Sequence, residues 1–227
     1  MKLRKSQIEP VTSGVEVRIP SGAVSLEGEL HLPANACGLV LFAHGSGSSR
    51  HSPRNQYVAG VLREAGIGTL LFDLLTSEEE AIDMRTGHLR FDISLLAGRL
   101  ADATQWTSSQ EATKNFGLGY FGASTGGAAA LVAAAKLNTI VDAVVSRGGR
   151  PDLAGAALSR VKAATLLIVG GRDDVVIELN EQAYEQLRCV KEMNIVPGAT
   201  HLFEERGALE EVARLAAEWF QKYLAAR

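Results

Sequence analysis

The sequence feature that most constrains this chain is residues 122–126, which are Gly-Ala-Ser-Thr-Gly and place Ser124 between two glycines. An apolar run over residues 116–121 precedes the motif, and residues 128–135 are almost all Ala, Leu and Val, which is typical of a helix. A serine between a strand and a helix sits on a strained corner with its hydroxyl exposed, and glycines allow the backbone to fold back there. The motif therefore predicts that Ser124 is a nucleophile, provided that the chain also supplies a base.

The apolar pattern of the whole chain predicts an α/β fold. Continuous apolar runs predict buried strands at residues 38–43, 69–72, 116–121, 139–145, 165–169 and 193–196. Helical spacing and start signals predict helices at residues 53–65, 91–106, 128–135, 151–161, 178–187 and 209–223. Residues 15–19 and 24–32 alternate apolar and polar side chains around a Ser-Gly turn, which predicts an antiparallel hairpin near the N-terminus. Strand and helix then alternate, which predicts a mostly parallel central sheet covered by helices on both faces, in a single domain of residues 1–227.

The segment before the helix at residues 91–106 is less regular. Residues 78–80 are all Glu, and Ser77 with Glu80 fits a capping box at the start of a short helix. We expect residues 74–90 to form a short lid or a partner-contact surface. A solvated acidic helix face is the plainer alternative.

Residues with catalytic chemistry follow four of the predicted strands, after residues 43, 121, 169 and 196. Because the carboxyl ends of parallel strands meet at one edge of a sheet, we expect these loops to lie close together. His201 is the predicted base for Ser124, and Asp173 is the predicted acid that orients His201. The order nucleophile, acid, histidine along the chain is the one expected for a serine elbow of this kind. Asp174 remains an alternative acid, with the other carboxylate capping the helix that follows.

Acyl transfer also needs hydrogen-bond donors for the oxyanion of the transition state. The amide of Thr125 is one predicted donor, and the amide of Ser46, in the His-Gly-Ser-Gly loop after residue 43, is the second. We expect His44 to hydrogen-bond within that loop rather than to act as a base. Arg50 and Arg54 follow the loop and could bind an acidic group of the substrate, although solvated side chains are the plainer interpretation.

Composition and motifs argue against several other classes of protein. The formal net charge of −3, with no basic stripe, argues against a nucleic-acid partner, and no run approaches the roughly 20 apolar residues of a membrane span. Residues 1–5 are basic but no apolar run follows, so we expect no signal peptide and a cytoplasmic protein. Cys37 and Cys189 are far apart, which favours free thiols. With neither a metal-type cluster nor a phosphate-binding loop in the sequence, we expect no cofactor and no metal.

Five stretches, at residues 40–55, 71–76, 122–127, 170–173 and 198–203, carry a family resemblance. Through them the chain resembles the α/β-hydrolase superfamily over nearly its whole length, and within it the dienelactone-hydrolase-like branch. It is especially similar to the small hydrolases that also occur fused to phosphoribosyltransferase domains. The resemblance implies a triad of Ser124, Asp173 and His201 that cleaves esters or lactones without a cofactor. Dienelactone hydrolases proper use a cysteine nucleophile, whereas this chain has Ser124, which suits general carboxylic esters.

The sequence therefore predicts a serine hydrolase of the carboxylesterase type, acting on short-chain esters as small-molecule substrates. Two enzymatic alternatives share the same triad, and a third alternative is not an enzyme. One is a lactone hydrolase for a carboxylate-bearing substrate, and another is an acyltransferase or perhydrolase in which a different nucleophile replaces water. The third is a binding protein with a hydrolase fold and no activity. The oligomeric state cannot be derived from the sequence, and a homodimer is compatible with it.

Overall fold

The computed structural model describes residues 14–224. The basic residues 1–5, with the expectation about a signal peptide, lie outside the described residues. The strands are β1 (Val15–Ser21), β2 (Val24–His31), β3 (Gly38–Ala43), β4 (Gly68–Phe72), β5 (Gly117–Ala123), β6 (Val141–Arg147), β7 (Ala164–Gly170) and β8 (Lys191–Val196). The α-helices are α1 (Pro53–Glu64), α2 (Ser77–Thr86), α3 (Ile93–Ser109), α4 (Thr125–Lys136), α5 (Asp174–Gln186) and α6 (Ala208–Tyr223).

All eight strands form one sheet in the order β1-β2-β4-β3-β5-β6-β7-β8. The first two strands pair as an antiparallel hairpin, and β2 joins β4 in antiparallel register. Every pair from β4 to β8 is parallel. The predicted fold class and the N-terminal hairpin are therefore confirmed. The loops that follow β3, β5, β7 and β8 consequently lie at one edge of the sheet.

Helices cover both faces of this sheet and bury two separate apolar layers. One layer joins α3, α4 and α5 to the sheet, and α4 contributes a run of fully buried alanines to it. The other layer joins α1 and α6, and there the indole of Trp219 donates a hydrogen bond of 3.1 Å to the carbonyl of Ala164. Small alanine side chains let α4 approach the sheet closely, which fixes the position of the residues at its N-terminus.

Two of the differences between the predicted and the observed elements have a local physical cause. The strand predicted at residues 139–145 is β6, which begins at Val141 because residues 137–140 form a turn closed by the amide of Ile140 and the carbonyl of Leu137. The helix predicted at residues 151–161 is a 3₁₀ helix, Pro151–Arg160, interrupted at Gly155, whose φ is 49°. A left-handed residue ends regular helix geometry at that position.

The segment between β4 and α3 contains α2 and a short 3₁₀ turn (Leu89–Phe91). Two ion pairs hold it: Arg90 binds Asp83 within the segment, and Arg99 of α3 binds Glu79. The predicted capping box of Ser77 and Glu80 is wrong by one residue. Thr76 is the cap, with its hydroxyl accepting from the amide of Glu79 while the Glu79 carboxylate accepts from the amide of Thr76. Thr76 has extended backbone angles, whereas Ser77 already belongs to the helix.

None of the helices within residues 14–224 has the length and apolarity that crossing a bilayer requires.

Candidate active site

Ser124 lies on a sharp corner between β5 and α4, where its φ is 51° and its ψ is −121°. Within residues 14–224, Phe203 is the only other non-glycine residue with a positive φ. A strained backbone of this kind costs about 1–3 kcal/mol and persists only where the surroundings enforce it. Here the enforcement is steric: a Cβ on Gly122 would lie 2.5 Å from the carbonyl oxygen of Gly126. The corner therefore closes only with glycine at that position.

The loop after β3 packs directly against this corner. A Cβ on Gly45 would lie 3.1 Å from the Cβ of Ser124, and a Cβ on Gly126 would lie 2.6 Å from the carbonyl oxygen of His44 and still closer to that of Ala43. The backbone at Gly126 therefore meets the backbone of the loop after β3, and Gly45 meets the β-carbon of Ser124 itself. The loop that carries Ser46 is held at a fixed distance from Ser124 as a result.

His201 and Asp173 come together from two neighbouring loops, those after β8 and β7. The Nδ1 of His201 lies 2.7 Å from Oδ2 of Asp173, a hydrogen-bond distance. The Asp173 side chain is 17 % exposed and makes no capping bond to α5, so its carboxylate is available to the histidine ring. Asp174 is the exposed first residue of α5. Of the two candidate acids, the structure brings Asp173 to His201.

Backbone hydrogen bonds join these two loops. The amide of Arg172 donates 2.9 Å to the carbonyl of Ala199, so the acid and the histidine are positioned by a common set of contacts. Beneath them, Phe203 is 1 % exposed, and its φ of 55° turns the chain sharply after His201. The loop that carries His201 is therefore fixed by a buried residue two positions further along the chain.

Ser124 and His201 line the same cavity, which has a volume of about 190 Å³. In the part of the chain that the structure describes, the His201 ring is bonded to Asp173 and makes no hydrogen bond to the Ser124 hydroxyl. Catalytic hydrogen bonds are often long in the absence of substrate and tighten when it binds. The arrangement of a strained serine, a histidine and a carboxylate within one site is what nucleophilic catalysis by serine requires.

The two predicted oxyanion donors are adjacent. Thr125 is the first residue of α4, where backbone amides point out of the helix N-terminus. The amide of Ser46 faces the side chain of the same residue, since it donates a hydrogen bond of 3.0 Å to Oγ1 of Thr125.

His44 connects the loop after β3, which carries Ser46, to the residues that follow β4. Its Nε2 accepts a hydrogen bond of 3.0 Å from the amide of Leu74, which leaves Nδ1 to donate to the carbonyl of Gly45 at 3.0 Å. Burial lowers the pKa of His44 and favours the neutral ring that this pattern needs. His44 thus has the hydrogen-bonding role predicted from the sequence, and both its ring nitrogens are used.

The two arginines singled out in the sequence occupy different environments. Arg50 is turned away from the Ser124 cavity and is bound by the carboxylates of Asp73 and Glu27. Arg54 lines the cavity, and its Nη1 donates 3.0 Å to the exposed carboxylate of Glu204. The structure therefore brings Arg54 to the candidate site and leaves Arg50 outside it.

A third arginine, Arg147, lines the cavity and was missed from the sequence. It is the last residue of β6, is 6 % exposed, and holds its guanidinium 5.8 Å from the centre of the Phe203 ring. Its Nη2 reaches the side-chain oxygen of Asn55 at 3.5 Å. Burial and the nearby charge of Arg54 lower the pKa of Arg147 to about 10. The strand-end rule that located Ser124 applies to Arg147 too, because β6 ends at the same edge of the sheet.

A second cavity, of about 280 Å³, also borders the loop after β3 that carries Ser46. Ser46 borders both cavities. The walls of the second cavity combine the loop after β3 with the segment that contains α2, and they include His44, Leu74, Leu75, Glu80, Asp83, Met84, Arg90, Leu96 and Thr125. The segment predicted at residues 74–90 as a lid or partner surface thus supplies one wall of this cavity.

The part of the chain that the structure describes contains no group of three or more His, Cys, Asp or Glu side chains placed to hold a metal ion. Cys37 and Cys189 are both half-buried free thiols, as predicted.

Comparison with known proteins identifies the same architecture. Residues 59–225 match the profile described as the dienelactone hydrolase family. The crystal structure of a dienelactone hydrolase from Anabaena variabilis superposes with a TM-score of 0.92 at 62 % identity, covering 93 % of this chain and 98 % of that one. The protein Est1E from Butyrivibrio proteoclasticus shares the fold at 16 % identity, with a TM-score of 0.76 over 92 % of this chain and 98 % of that one.

Two curated relatives from strains of Mycobacterium tuberculosis are each 56 % identical over 216 residues, and both are provisionally named phosphoribosyl transferases. The match covers 95 % of this chain and 48 % of each relative. The chain therefore spans about half the length of the curated relatives it matches. This agrees with the resemblance to hydrolases that occur fused to phosphoribosyltransferase domains.

Proposed function

We propose that this chain, which belongs to the dienelactone hydrolase family, hydrolyses short-chain carboxylic esters through an acyl-enzyme formed on Ser124. One observation carries the proposal. Ser124 stands on a strained corner in a cavity shared with His201, and the ring of His201 is hydrogen-bonded at 2.7 Å to Asp173. A buried structural serine needs neither the strain nor the paired histidine.

In the first half of the reaction, Oγ of Ser124 attacks the ester carbonyl carbon while Nε2 of His201 takes its proton. Asp173 holds Nδ1–H and stabilises the imidazolium. The tetrahedral intermediate collapses, the carbon–oxygen bond to the alcohol breaks, and His201 returns the proton to the leaving oxygen. In the second half, water attacks the acyl-enzyme with His201 again as base, and the acid leaves as Ser124 recovers its proton.

The amides of Thr125 and Ser46 are the proposed donors to the oxyanion. The Ser46 amide is bonded to the Thr125 hydroxyl at 3.0 Å, so we expect this hydroxyl to rotate aside as the substrate oxygen arrives. Removing one oxyanion donor typically costs 10²–10³ in kcat. Both amides are held by rigid backbone packing around Gly126, which supports their preorganisation.

The size of the site supports small substrates. The two cavities have volumes of about 280 and 190 Å³, at or below the roughly 300 Å³ at which pockets for drug-sized ligands begin. An ester that divides between them has room for a short acyl group on one side and a small alcohol on the other.

Lactone hydrolysis is the second candidate, and the name of the Anabaena variabilis relative favours it. A lactone is a cyclic ester, so the same attack by Ser124 opens its ring and leaves acid and alcohol on one product. Arg54, which lines the cavity together with Arg147, is a cationic group available to a carboxylate on such a substrate. Acyl transfer to an alcohol or to peroxide would use the same acyl-enzyme with another nucleophile in place of water.

The test is the Ser124→Ala variant with p-nitrophenyl acetate as substrate. We expect turnover to fall to background while the circular dichroism spectrum and the unfolding temperature remain those of a folded protein. Ser159→Ala is the matched control, because Ser159 is exposed on the 3₁₀ helix Pro151–Arg160. A fluorophosphonate probe should label the native chain and the control but not the variant. Full turnover by Ser124→Ala would refute the mechanism, and an unlabelled, inactive native chain would favour the binding-protein alternative.

A further inference from the structure

The second cavity, between the loop after β3 and the segment that contains α2, has three buried leucines on its walls, Leu74, Leu75 and Leu96. Its volume of about 280 Å³ is well above the roughly 150 Å³ of an apolar cavity that binds benzene. A six-carbon chain or a six-membered ring therefore fits inside it. Such a group gains free energy there, because its apolar surface leaves water.

The same cavity reaches the groups proposed to hold the oxyanion. Ser46 and Thr125 both line it. Ser124 and His201 line the first cavity, of about 190 Å³. Because His201 must protonate the leaving oxygen, the alcohol half of a bound ester lies on its side. The acyl half then extends past Ser46 and Thr125 into the second cavity.

The charged groups around the second cavity disfavour an acyl group with a carboxylate. Asp83 is buried and is bound by Arg90, so their two charges offset each other. Burial lowers the pKa of His44 and favours its neutral ring. Glu80 also lines the cavity, and no cationic side chain lies within ion-pair distance of it in the described part of the chain. One negative charge is therefore left uncompensated, and it repels an anion.

Glu80 does not make the cavity a site for cations either. Its side chain is exposed, and an exposed carboxylate contributes little to holding a partner charge. An ammonium group that entered between the leucines would lose its hydration without a buried counter-charge. The walls therefore suit an acyl group without charge.

We propose that the second cavity is the acyl subsite and that the acid half of the substrate is an uncharged, apolar group larger than acetyl. This inference rests on the proposed ester hydrolysis and names the acyl group that it acts on. Leu74, Leu75 and Leu96 select for apolar surface by contact with the chain. Glu80 discriminates against acids that carry a second carboxylate.

The first test compares two isomeric esters, ethyl hexanoate and hexyl acetate. They have the same atoms and similar leaving alcohols, and they differ in whether the long chain belongs to the acyl or to the alcohol half. Acid release is followed by titration at constant pH. We expect kcat/KM to be at least about tenfold higher for ethyl hexanoate, because each buried methylene is worth about fourfold. Equal values, or a preference for hexyl acetate, would overturn the acyl subsite.

The second test places a charge at the far end of the acyl chain. Ethyl hydrogen adipate carries a carboxylate there and ethyl 6-aminohexanoate an ammonium, and we expect both to be at least about tenfold poorer substrates than ethyl hexanoate. A preference for either charged ester would overturn the proposal. Glu80→Gln should raise kcat/KM for the adipate by about twofold to fivefold, and an unchanged value would refute the role of Glu80. Glu78→Gln is the control, because Glu78 is exposed on the same helix and does not line this cavity.

A variant of the wall gives the third comparison. Leu96→Trp puts a larger ring at the cavity wall and should lower the ratio of ethyl hexanoate to hexyl acetate at least about threefold. Leu209→Trp is the control, since Leu209 is half-buried on α6 and lines neither cavity. An equal ratio in the two variants would overturn the assignment. If Leu96→Trp does not fold, the comparisons of the four esters on the native chain decide the matter.

A binding measurement separates the subsite from the catalytic proposal. The Ser124→Ala variant should bind hexanamide at least about tenfold more tightly than acetamide in an NMR titration, and Leu96→Trp in that background should remove most of the difference. Equal binding of the two amides would overturn the subsite. Selective binding of hexanamide without turnover of any of the four esters would refute ester hydrolysis and retain the apolar subsite. Turnover of all four esters at equal kcat/KM would do the reverse.

Discussion

Gly126→Ala is the substitution in which two physical effects oppose each other most directly. Gly126 lies in the first turn of α4, and replacing glycine by alanine inside a helix stabilises a protein by about 1 kcal/mol when space allows. Space does not allow it here. The new Cβ would lie 2.6 Å from the carbonyl oxygen of His44, whereas ordinary contacts begin at 3.4 Å, and it would lie closer still to the carbonyl of Ala43.

The steric effect should prevail. Overpacking typically costs 1–3 kcal/mol and occasionally more, and the opposing atoms are backbone atoms of β3 and its loop, which have no rotamer to change. The contacts at Gly126 are severe, so we take the upper end of that range, about 3 kcal/mol. After subtracting about 1 kcal/mol gained in helix propensity, we expect Gly126→Ala to lower the free energy of unfolding by about 2 kcal/mol. In a chain of this length that corresponds to an unfolding temperature lower by about 4–8 °C.

Gly98→Ala is the matched control. Gly98 lies inside α3, and nothing lies within 4 Å of the position that its Cβ would occupy. The same chemical change should therefore raise the unfolding temperature by about 2–4 °C. Urea and thermal unfolding followed by circular dichroism measure both variants under one set of conditions.

Activity supplies an independent measurement on the same pair. Relief of the clash in Gly126→Ala must move the loop that carries Ser46, and a displacement near 1 Å at a reacting centre costs about 10²-fold in rate. Gly98→Ala should retain native kcat/KM. If Gly126→Ala proves as stable and as active as Gly98→Ala, the close packing of the oxyanion loop against the serine corner is not a real constraint, and the reasoning fails.

Two further predictions concern the acid and the buried histidine. Asp173→Asn should lower kcat by about 10³–10⁴ with little change in stability, because the amide favours the wrong tautomer of His201, while Asp174→Asn should stay within about twofold; equal losses in the two variants would argue against Asp173 as the acid. Burial lowers the pKa of His44, so the unfolded chain takes up a proton at a higher pH than the folded chain, and stability should fall as pH drops below the ordinary value of 6.5. His44→Gln, whose side-chain oxygen can still accept from Leu74, should flatten the decline of the unfolding temperature between pH 7 and pH 5, and an unchanged slope would contradict this.

The central strands and the places where catalytic residues leave them could be predicted because both depend on local pattern. Continuous apolar runs such as residues 38–43 have no stable alternative to burial, and glycine spacing around Ser124 permits few other conformations. The parallel order of the sheet then follows from short helical crossovers. The gathering of Ser124, Asp173 and His201 at one edge is a consequence of that order.

Other features depend on contacts that the local sequence does not encode. Residues 76–80 contain two overlapping capping-box patterns, and only the extended backbone of Thr76 distinguishes the correct one. Arg50 and Arg54 look alike in sequence, yet Asp73 and Glu27 bind the first and leave the second in the cavity. The burial of Arg147 depends on Asn55 and Phe203, which are far away along the chain.

The position of β8 at one edge of the sheet has a consequence for how the protein acquires activity as it folds. Ser124 and the two proposed oxyanion amides follow β5 and β3, near the centre of the sheet, whereas His201 follows β8, an edge strand that within residues 14–224 pairs with β7 alone. Parallel pairings between distant segments form slowly, because loop closure must precede the contacts that reward it. We therefore expect a refolding chain, or one still being synthesised, to present the serine before it has a base. Recovery of ester turnover should lag behind recovery of the circular dichroism signal, and that interval would time the docking of the last strand.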